Sequence, residues 1–335
     1  MISKSFQRQR GLSLVELMVA MALSLLLMLG VIQIFLSSKQ TYSTNSALSR
    51  VQESGRFAMD FLAQDIRNTG YKGQCTGTPR EHGSIDALMG LEDPILGWDD
   101  IDERPAHLPN SAAGTPVAGT DAILIKFAAG PEEVAADSGN TASSLTISLS
   151  GTNKSGADQN ALVLISDAIN CDLFQNSAST NTAELSKDNA SPEWTHNYTE
   201  ATEILPLQNT TYYIRANPNG RPNSLVRQRL GVVSGAPGWL VPEELVEGVQ
   251  DMQISYGIAD VNRQVIRYDT AEEVDSDNNW NRVAAVRIDL LVVSTDTNVV
   301  PEAQVITFNG ADETIDDRRL AQVFSTTIGI RNRLP

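Results

Sequence analysis

Between Leu12 and Leu36 the only ionisable side chain is Glu16, and almost all the rest are Leu, Val, Met, Ala and Ile. Coiled as a helix rising 1.5 Å per residue, the run is roughly 40 Å long, enough to cross a bilayer. A carboxylate in such a segment costs up to a few kcal/mol, less near the membrane interface, so Glu16 calls for a partner. This stretch restricts the chain to folds that begin with a long, exposed, apolar helix.

The residues in front of the run set its orientation. Lys4, Arg8 and Arg10 form a positive flank with no acid among residues 1–11. Positive flanks stay in the cytoplasm, which sends residues 37–335 across the membrane. The apolar segment is long for a cleaved secretory signal, and Ser37-Ser38-Lys39 is a weak cleavage site behind it. The alternative is a cut ahead of the core, at Gly11.

The stretch Gly11-Leu12-Ser13-Leu14-Val15-Glu16-Leu17 resembles the type III signal of type IV pilins and type II secretion pseudopilins. The resemblance implies that a prepilin peptidase cuts after Gly11 and that the new amine on Leu12 is methylated. Most relatives have Phe where this chain has Leu12, a departure that minor pilins tolerate. With Gly11 removed, Glu16 is the fifth residue and lies on the same helix face as Leu12, four residues away. An acid in the first turn also suits the helix dipole, so Glu16 is expected to neutralise an amine on its own chain or on a neighbouring subunit.

The chain has 335 residues, room for one large or two smaller domains beyond the membrane helix. The net charge is −16, or about −19 once the three positive leader residues are subtracted. No basic stripe is present to offset phosphate, which argues against a nucleic-acid partner and for a well-solvated exported surface. In an oxidising compartment the two cysteines, Cys75 and Cys171, read most simply as one disulfide, with two free buried thiols as the alternative. The bond would close a loop of nearly 100 residues, worth roughly 4–5 kcal/mol in the chain-entropy model.

From Ala47 to Ile66 the apolar positions Leu48, Val51, Ala58, Phe61, Leu62 and Ile66 recur at helical spacing among charged residues. No proline interrupts residues 12–69, and Gly70 is a suitable stop. One helix is therefore expected, spanning the membrane with its first half and lying on a head with its second, with Gly30 and Gly55 as points of local loosening. The segment from Leu48 to Tyr71, just before Cys75, resembles the W-type minor pilins, the PilW family. That resemblance implies an α+β, pilin-like fold on a large antiparallel sheet. The expected divisions are a leader over 1–11, a membrane or filament-core half-helix over 12–36, an amphipathic half over 37–70 and a β-rich head over 71–335.

Residues 72–120, rich in Gly, Pro, Asp and Ser and carrying the acidic run Asp99 to Glu103, read as loops. Strands are expected at 122–127, 145–149, 161–166, 172–175, 211–215 and 225–229, with residues 176–200 as an exposed insertion. Alternation marks three later strands. Met252, Ile254, Tyr256 and Ile258 form one buried face, Ala284 to Val292 a second, and Phe324 to Ile330 a third. Between the first two lies a loop over Glu272 to Asn279, and 242–249 reads as a short helical turn or lead-in. Leu245 to Val249 and the segment from Asp317 to Leu334 are similar to W-type minor pilins, and Leu245 to Val249 also resembles J-type pseudopilins. The resemblance covers about the first 75 and the last 100 residues.

Catalytic patterns are lacking. His82, His107 and His196 fall in loop-like sequence, without a His-Glu-x-x-His pair, a Cys-x-x-Cys, a Gly-x-Ser-x-Gly elbow or a Walker loop. Asp275-Ser276-Asp277 begins like a calcium loop, but Trp280 stands where Gly is required and Val286 where the closing Glu belongs, so an EF-hand is excluded. A different calcium site there or at Asp99 to Glu103 stays open, and no cofactor or enzymatic activity is expected. Any energy for filament movement would come from a separate ATPase. The leading reading is a minor pilin that primes assembly and sits near the filament tip, supporting piliation, twitching and adhesion. The implied partners are other minor pilins, the major pilin, the inner-membrane assembly platform, prepilin peptidase and a tip-associated adhesin. The rivals are a J-type pseudopilin and a membrane-anchored periplasmic enzyme or binding protein.

Overall fold

The computed structural model describes residues 13–100, 107–108, 115–130, 134–151, 153–167, 169–188 and 193–333. Helix α1 (Leu14–Asn68) is one uninterrupted element of 55 residues, about 80 Å long. Ser13 caps its start, and at its end Thr69 turns extended while Gly70 takes a positive φ of 71°, the conformation that glycine adopts without strain. Gly55 does not loosen it. A Cβ on Gly55 would stand 2.4 Å from two ring carbons of Phe324, so the missing side chain lets helix and sheet approach closely.

Beyond the helix come β1 (Arg80–His82), β2 (Ile95–Trp98), β3 (Ala122–Ile125), β4 (Val134–Ala136) and β5 (Thr146–Ser148). β6 (Leu162–Ser166), β7 (Cys171–Gln175), β8 (Glu184–Ser186), β9 (Glu200–Pro206) and β10 (Thr210–Arg215) follow. Then run β11 (Ser224–Val233), β12 (Ala236–Trp239), β13 (Glu243–Glu247), β14 (Val249–Ala259) and β15 (Val265–Asp269). A short helix α2 (Ala271–Ser276) precedes β16 (Val283–Val293), β17 (Gln304–Phe308), β18 (Ala311–Ile315) and β19 (Ala321–Gly329). The result is an α+β, pilin-like arrangement of one long helix and a sheet-rich head.

Two sheets hold α1. One is antiparallel in the order β15-β14-β16-β19; the other runs β12-β11-β10-β3-β2, with β13 also paired to β11. Val51, Ala58, Leu62 and Ile66 of the helix are buried together with Met252, Ile254, Tyr256, Ile258, Val286, Ile288 and Leu290, the faces marked by alternation. The opposite face of β16 exposes Arg287, yet Leu291 and Val293 beside it are buried under Phe308 of the β17–β18 hairpin. Fully burying a Leu or Ile contributes about 1.5–3 kcal/mol, so these residues fix the helix on the head.

A third sheet, β1-β7-β6-β9-β4, forms a smaller lobe, antiparallel except for the β1–β7 pair. Here the structure departs from the sequence reading. Residues 72–120 are not all loop, since β1 and β2 lie within them. Residues 176–200 are exposed only in part: Ser179 to Asn181 and Asp188 are exposed, but the stretch contains β8, and Trp194 and Tyr198 are 2% and 1% exposed in a core with Phe174, Ile165 and Ile204. The stretch 242–249 holds a strand rather than a helical turn. In β13 Glu243 stands opposite Arg227 and the pair closes at 2.8 Å, while Glu247 meets Arg221 at 2.9 Å, so partners on β11 and beside it override the local helical preference. Conversely, the loop expected over 272–279 contains α2, whose cap Thr270 and N3 residue Glu273 form a reciprocal capping box.

Candidate functional site

The start of α1 is built by its own sequence. Ser13 has extended backbone angles and its hydroxyl accepts from Glu16 N–H at 3.2 Å, while Ser13 N–H donates to Glu16 Oε2 at 3.0 Å. Two of the amides that a helix start leaves unpaired are thereby satisfied. From Leu14 to Leu36 the apolar side chains are exposed, Leu27 by 73%, and no charge appears between Glu16 and Lys39. The helix is long and apolar enough to cross a membrane. Gly11 and Leu12 lie outside the described residues.

Polar clips join the helix to the head. Gln40 Nε2 and Thr44 Oγ1 both donate to the carbonyl of Val299, and Arg50 faces Asp296 at 3.4 Å in an exposed pair that contributes little. Tyr212 donates its hydroxyl to Asp65 Oδ2 at 2.7 Å. Burial raises the Asp65 carboxyl above its ordinary range, with the tyrosine bond opposing. At the helix exit Gly70 N–H donates to Lys126 O, and Asn332 Nδ2 reaches Thr69 O.

Cys75 and Cys171 are bonded, with Cα atoms 5.6 Å apart, so the helix exit is tied to the first residue of β7. Asp121 joins the two large sheets: it lies buried just before β3 and accepts from Ile254 N–H at 2.7 Å and Asp100 N–H at 3.1 Å. Burial pushes its carboxyl up to about 7, and burial likewise takes Asp251 to about 6.

The three histidines are structural partners that sequence reasoning missed. His82, on β1, meets Asp172 of β7 at 2.6 Å in the interior of the smaller lobe, and Asp172 also accepts from the Tyr198 hydroxyl and from Thr195. Burial raises that carboxyl, but the hydrogen bonds from His82, Thr195 and Tyr198 outweigh it and leave it below the ordinary range. No local signal marks a pair 90 residues apart. His107 packs 4.5 Å from the Trp239 ring and bonds Thr211, and burial depresses its pKa to about 4. His196 pairs with Asp167.

The acidic turns considered for calcium have other partners. Asp99 accepts from Ala271 and Glu272 N–H at the start of α2, Asp275 accepts from the Trp280 indole, and Asp277 pairs with Arg267. Ile101 to Glu103 lie outside the described residues. Among those described, no group of three His, Cys, Asp or Glu could hold a metal ion.

Residues 6–32 match the family described as the prokaryotic N-terminal methylation motif. Residues 211–332 match the family described as type IV pilus-assembly protein W, PilW. These two matches support a type IV pilus pilin of the PilW type with a prepilin signal. No curated protein and no solved structure matches it. The PilW stretch begins in β10 and runs past β19, and so contains β14, β16 and β19, whose buried faces receive α1, but not β2 and β3. The helix segment 48–71 and the smaller lobe lie outside both matched stretches. The two matches point to a pilus-associated minor pilin, a structural pilus component, and the methylation motif with the exposed apolar helix supports membrane anchoring.

Proposed function

We propose that this PilW-type minor pilin primes assembly of the pilus together with other minor pilins and sits at or near the filament tip, supporting piliation, twitching and adhesion. The observation that carries the reading is the half-helix from Leu14 to Leu36, apolar and exposed on a chain with a methylation motif. Such a surface is stable in lipid and, after transfer, against other apolar helices, but not in water. Prepilin peptidase removes residues 1–11 by cutting after Gly11, and Leu12 is methylated. Residues 12–36 anchor the subunit in the inner membrane with its amino terminus cytoplasmic and the head, residues 71–335, periplasmic. On assembly the same residues join the filament core, residues 37–70 link core to head, and the head becomes extracellular.

Glu16 supplies the countercharge for an amine as the subunit docks. The partners are the major pilin, other minor pilins, the inner-membrane assembly platform and a tip-associated adhesin. The test is Glu16→Ala in the native host, scored by mature amino-terminal mass, by the subunit content of sheared pili and by twitching zones. Cleavage with at least tenfold less subunit in pili is expected. Normal incorporation and twitching would refute the role of Glu16, and a deletion strain with normal piliation would refute the priming function.

A further inference from the structure

We propose that the cleft where the smaller lobe meets the second large sheet is a binding site for a neutral sugar residue, a hexose or an N-acetylhexosamine. The cavity holds about 360 Å³, near the lower end of the range for small-ligand sites. Leu162 of β6, Phe174 of β7, Ile85 and Met89 of the loop after β1, and Pro237 of β12 supply its apolar lining. The inference concerns the head alone and stands apart from the assembly roles proposed above.

The lining is fixed before a ligand arrives. Phe174 is buried and meets the Trp194 ring edge-on at 4.8 Å. In the loop after β1, Asp86 O accepts from Met89 N–H and Gly90 N–H at 2.8 Å each, and Asn209 Nδ2 donates to Met89 O at 2.8 Å. Lys126, only 1% exposed, donates to Ala87 O at 2.7 Å and to Glu92 O at 2.6 Å. A buried cation is costly, and this one holds the loop in place, so little ordering remains to be done on binding.

The polar groups at the cavity are short of donors. Asp86 accepts from Leu88 N–H through Oδ1, and Gln175 donates through Nε2 to Asn160. Asp86 Oδ2, Gln175 Oε1 and the Ser84 hydroxyl have no partner among the described residues. His82, also on the wall, adds to the shortage. Burial raises the Asp172 carboxyl, but its hydrogen bonds hold it below the ordinary range, so it accepts from His82 Nε2–H and leaves His82 Nδ1 buried without a partner. A fitting ligand therefore brings several O–H or N–H donors. Lys187, whose ammonium lies 4.9 Å over the Trp194 ring, disfavours a cation at the cavity, and Asp86 and Asp188 disfavour an anion. A wholly apolar molecule would desolvate acceptors that it cannot satisfy. A sugar residue is neutral, donates from adjacent hydroxyls and packs its C–H faces on Phe174 and Leu162.

The test uses the full-length protein in a detergent whose headgroup is not a sugar, with binding read by saturation-transfer NMR. The probes are methyl β-galactoside, methyl α-mannoside and an N-acetylglucosamine oligomer, with ethanolamine and acetate as charged controls. At least one sugar is expected to bind saturably, with a Kd of about 5 mM or tighter. A galactoside or mannoside preference assigns the site to cell-surface glycans, and an N-acetylglucosamine preference to cell-wall strands. Ser84→Trp, which fills the opening at an exposed position, should abolish binding. Asp86→Asn, which keeps an oxygen for Leu88 N–H, should weaken it about tenfold, and Gln175→Ala about fivefold. Circular dichroism melts matching wild type establish that the variants are folded. No saturable binding of any sugar, binding that survives Ser84→Trp unchanged, or binding of ethanolamine or acetate in place of sugar overturns the inference.

Discussion

Gly55→Ala tests the docking of α1 because two known effects oppose each other there. In an exposed helix the substitution stabilises by about 1 kcal/mol, since alanine loses less backbone entropy than glycine. At this site the new Cβ meets Phe324 ring carbons at 2.4, 2.4 and 2.6 Å, where contact requires about 3.5 Å. The ring or the helix must move by about 1 Å, and overpacking of that size costs about 1–3 kcal/mol. The clash wins, for a net loss of about 1 kcal/mol, or a fall of about 2–4 °C in melting temperature for a head of this size. Thermal unfolding of the full-length protein in detergent, followed by tryptophan fluorescence, measures it. Gly55→Val, which adds bulk without alanine's helix propensity, should lose more, and Gly55→Ala combined with Phe324→Ala should lose less than the sum of the single changes. A Gly55→Ala protein more stable by about 1 kcal/mol would refute the close approach of helix and β19.

Two further outcomes concern the head. Replacing Cys75 and Cys171 together by Ser opens a loop of sequence separation 96 and should cost about 4–5 kcal/mol, measured as a lower denaturant midpoint that matches wild type under reducing conditions. Unchanged stability would show that the bond restrains nothing. The second outcome is pH dependence: folded Asp121 keeps its proton to about pH 7, whereas the unfolded chain releases it near 3.8. Its contribution is therefore fully present below about pH 3.8 and is lost as pH rises through 7, by at most about 4 kcal/mol, with Asp251 adding in the same direction up to about 6. Asp121→Asn should flatten the fall in stability between pH 4 and 7, and an unchanged slope would remove Asp121 as its cause.

Whatever could be settled within a few turns or along one strand was legible in the residues themselves. The apolar run, the 3.6-residue spacing of Val51, Ala58, Leu62 and Ile66 and the absence of proline specify α1, because helix hydrogen bonds are local. Alternation specifies β14, β16 and β19, because successive strand side chains point to opposite faces. Even the two capping boxes, Ser13 with Glu16 and Thr270 with Glu273, are written as pairs three residues apart, although the sequence reading passed over both. With only two cysteines, the pairing of Cys75 and Cys171 had one intramolecular possibility.

The smaller lobe was not legible in this way. Its strands are short, and β1 pairs with β7 at a register offset of 92 residues, as His82 finds Asp172 at 90. Glu243 to Glu247 became a strand because Arg221 and Arg227 lay in reach, and Trp194 and Tyr198 became interior because they share a core with Phe174. The sequence by itself determined the anchor, the processing signal and the long helix, whose interactions are local or with lipid. The tertiary structure decided which polar and aromatic residues are interior, because burial depends on partners that only the folded chain brings together.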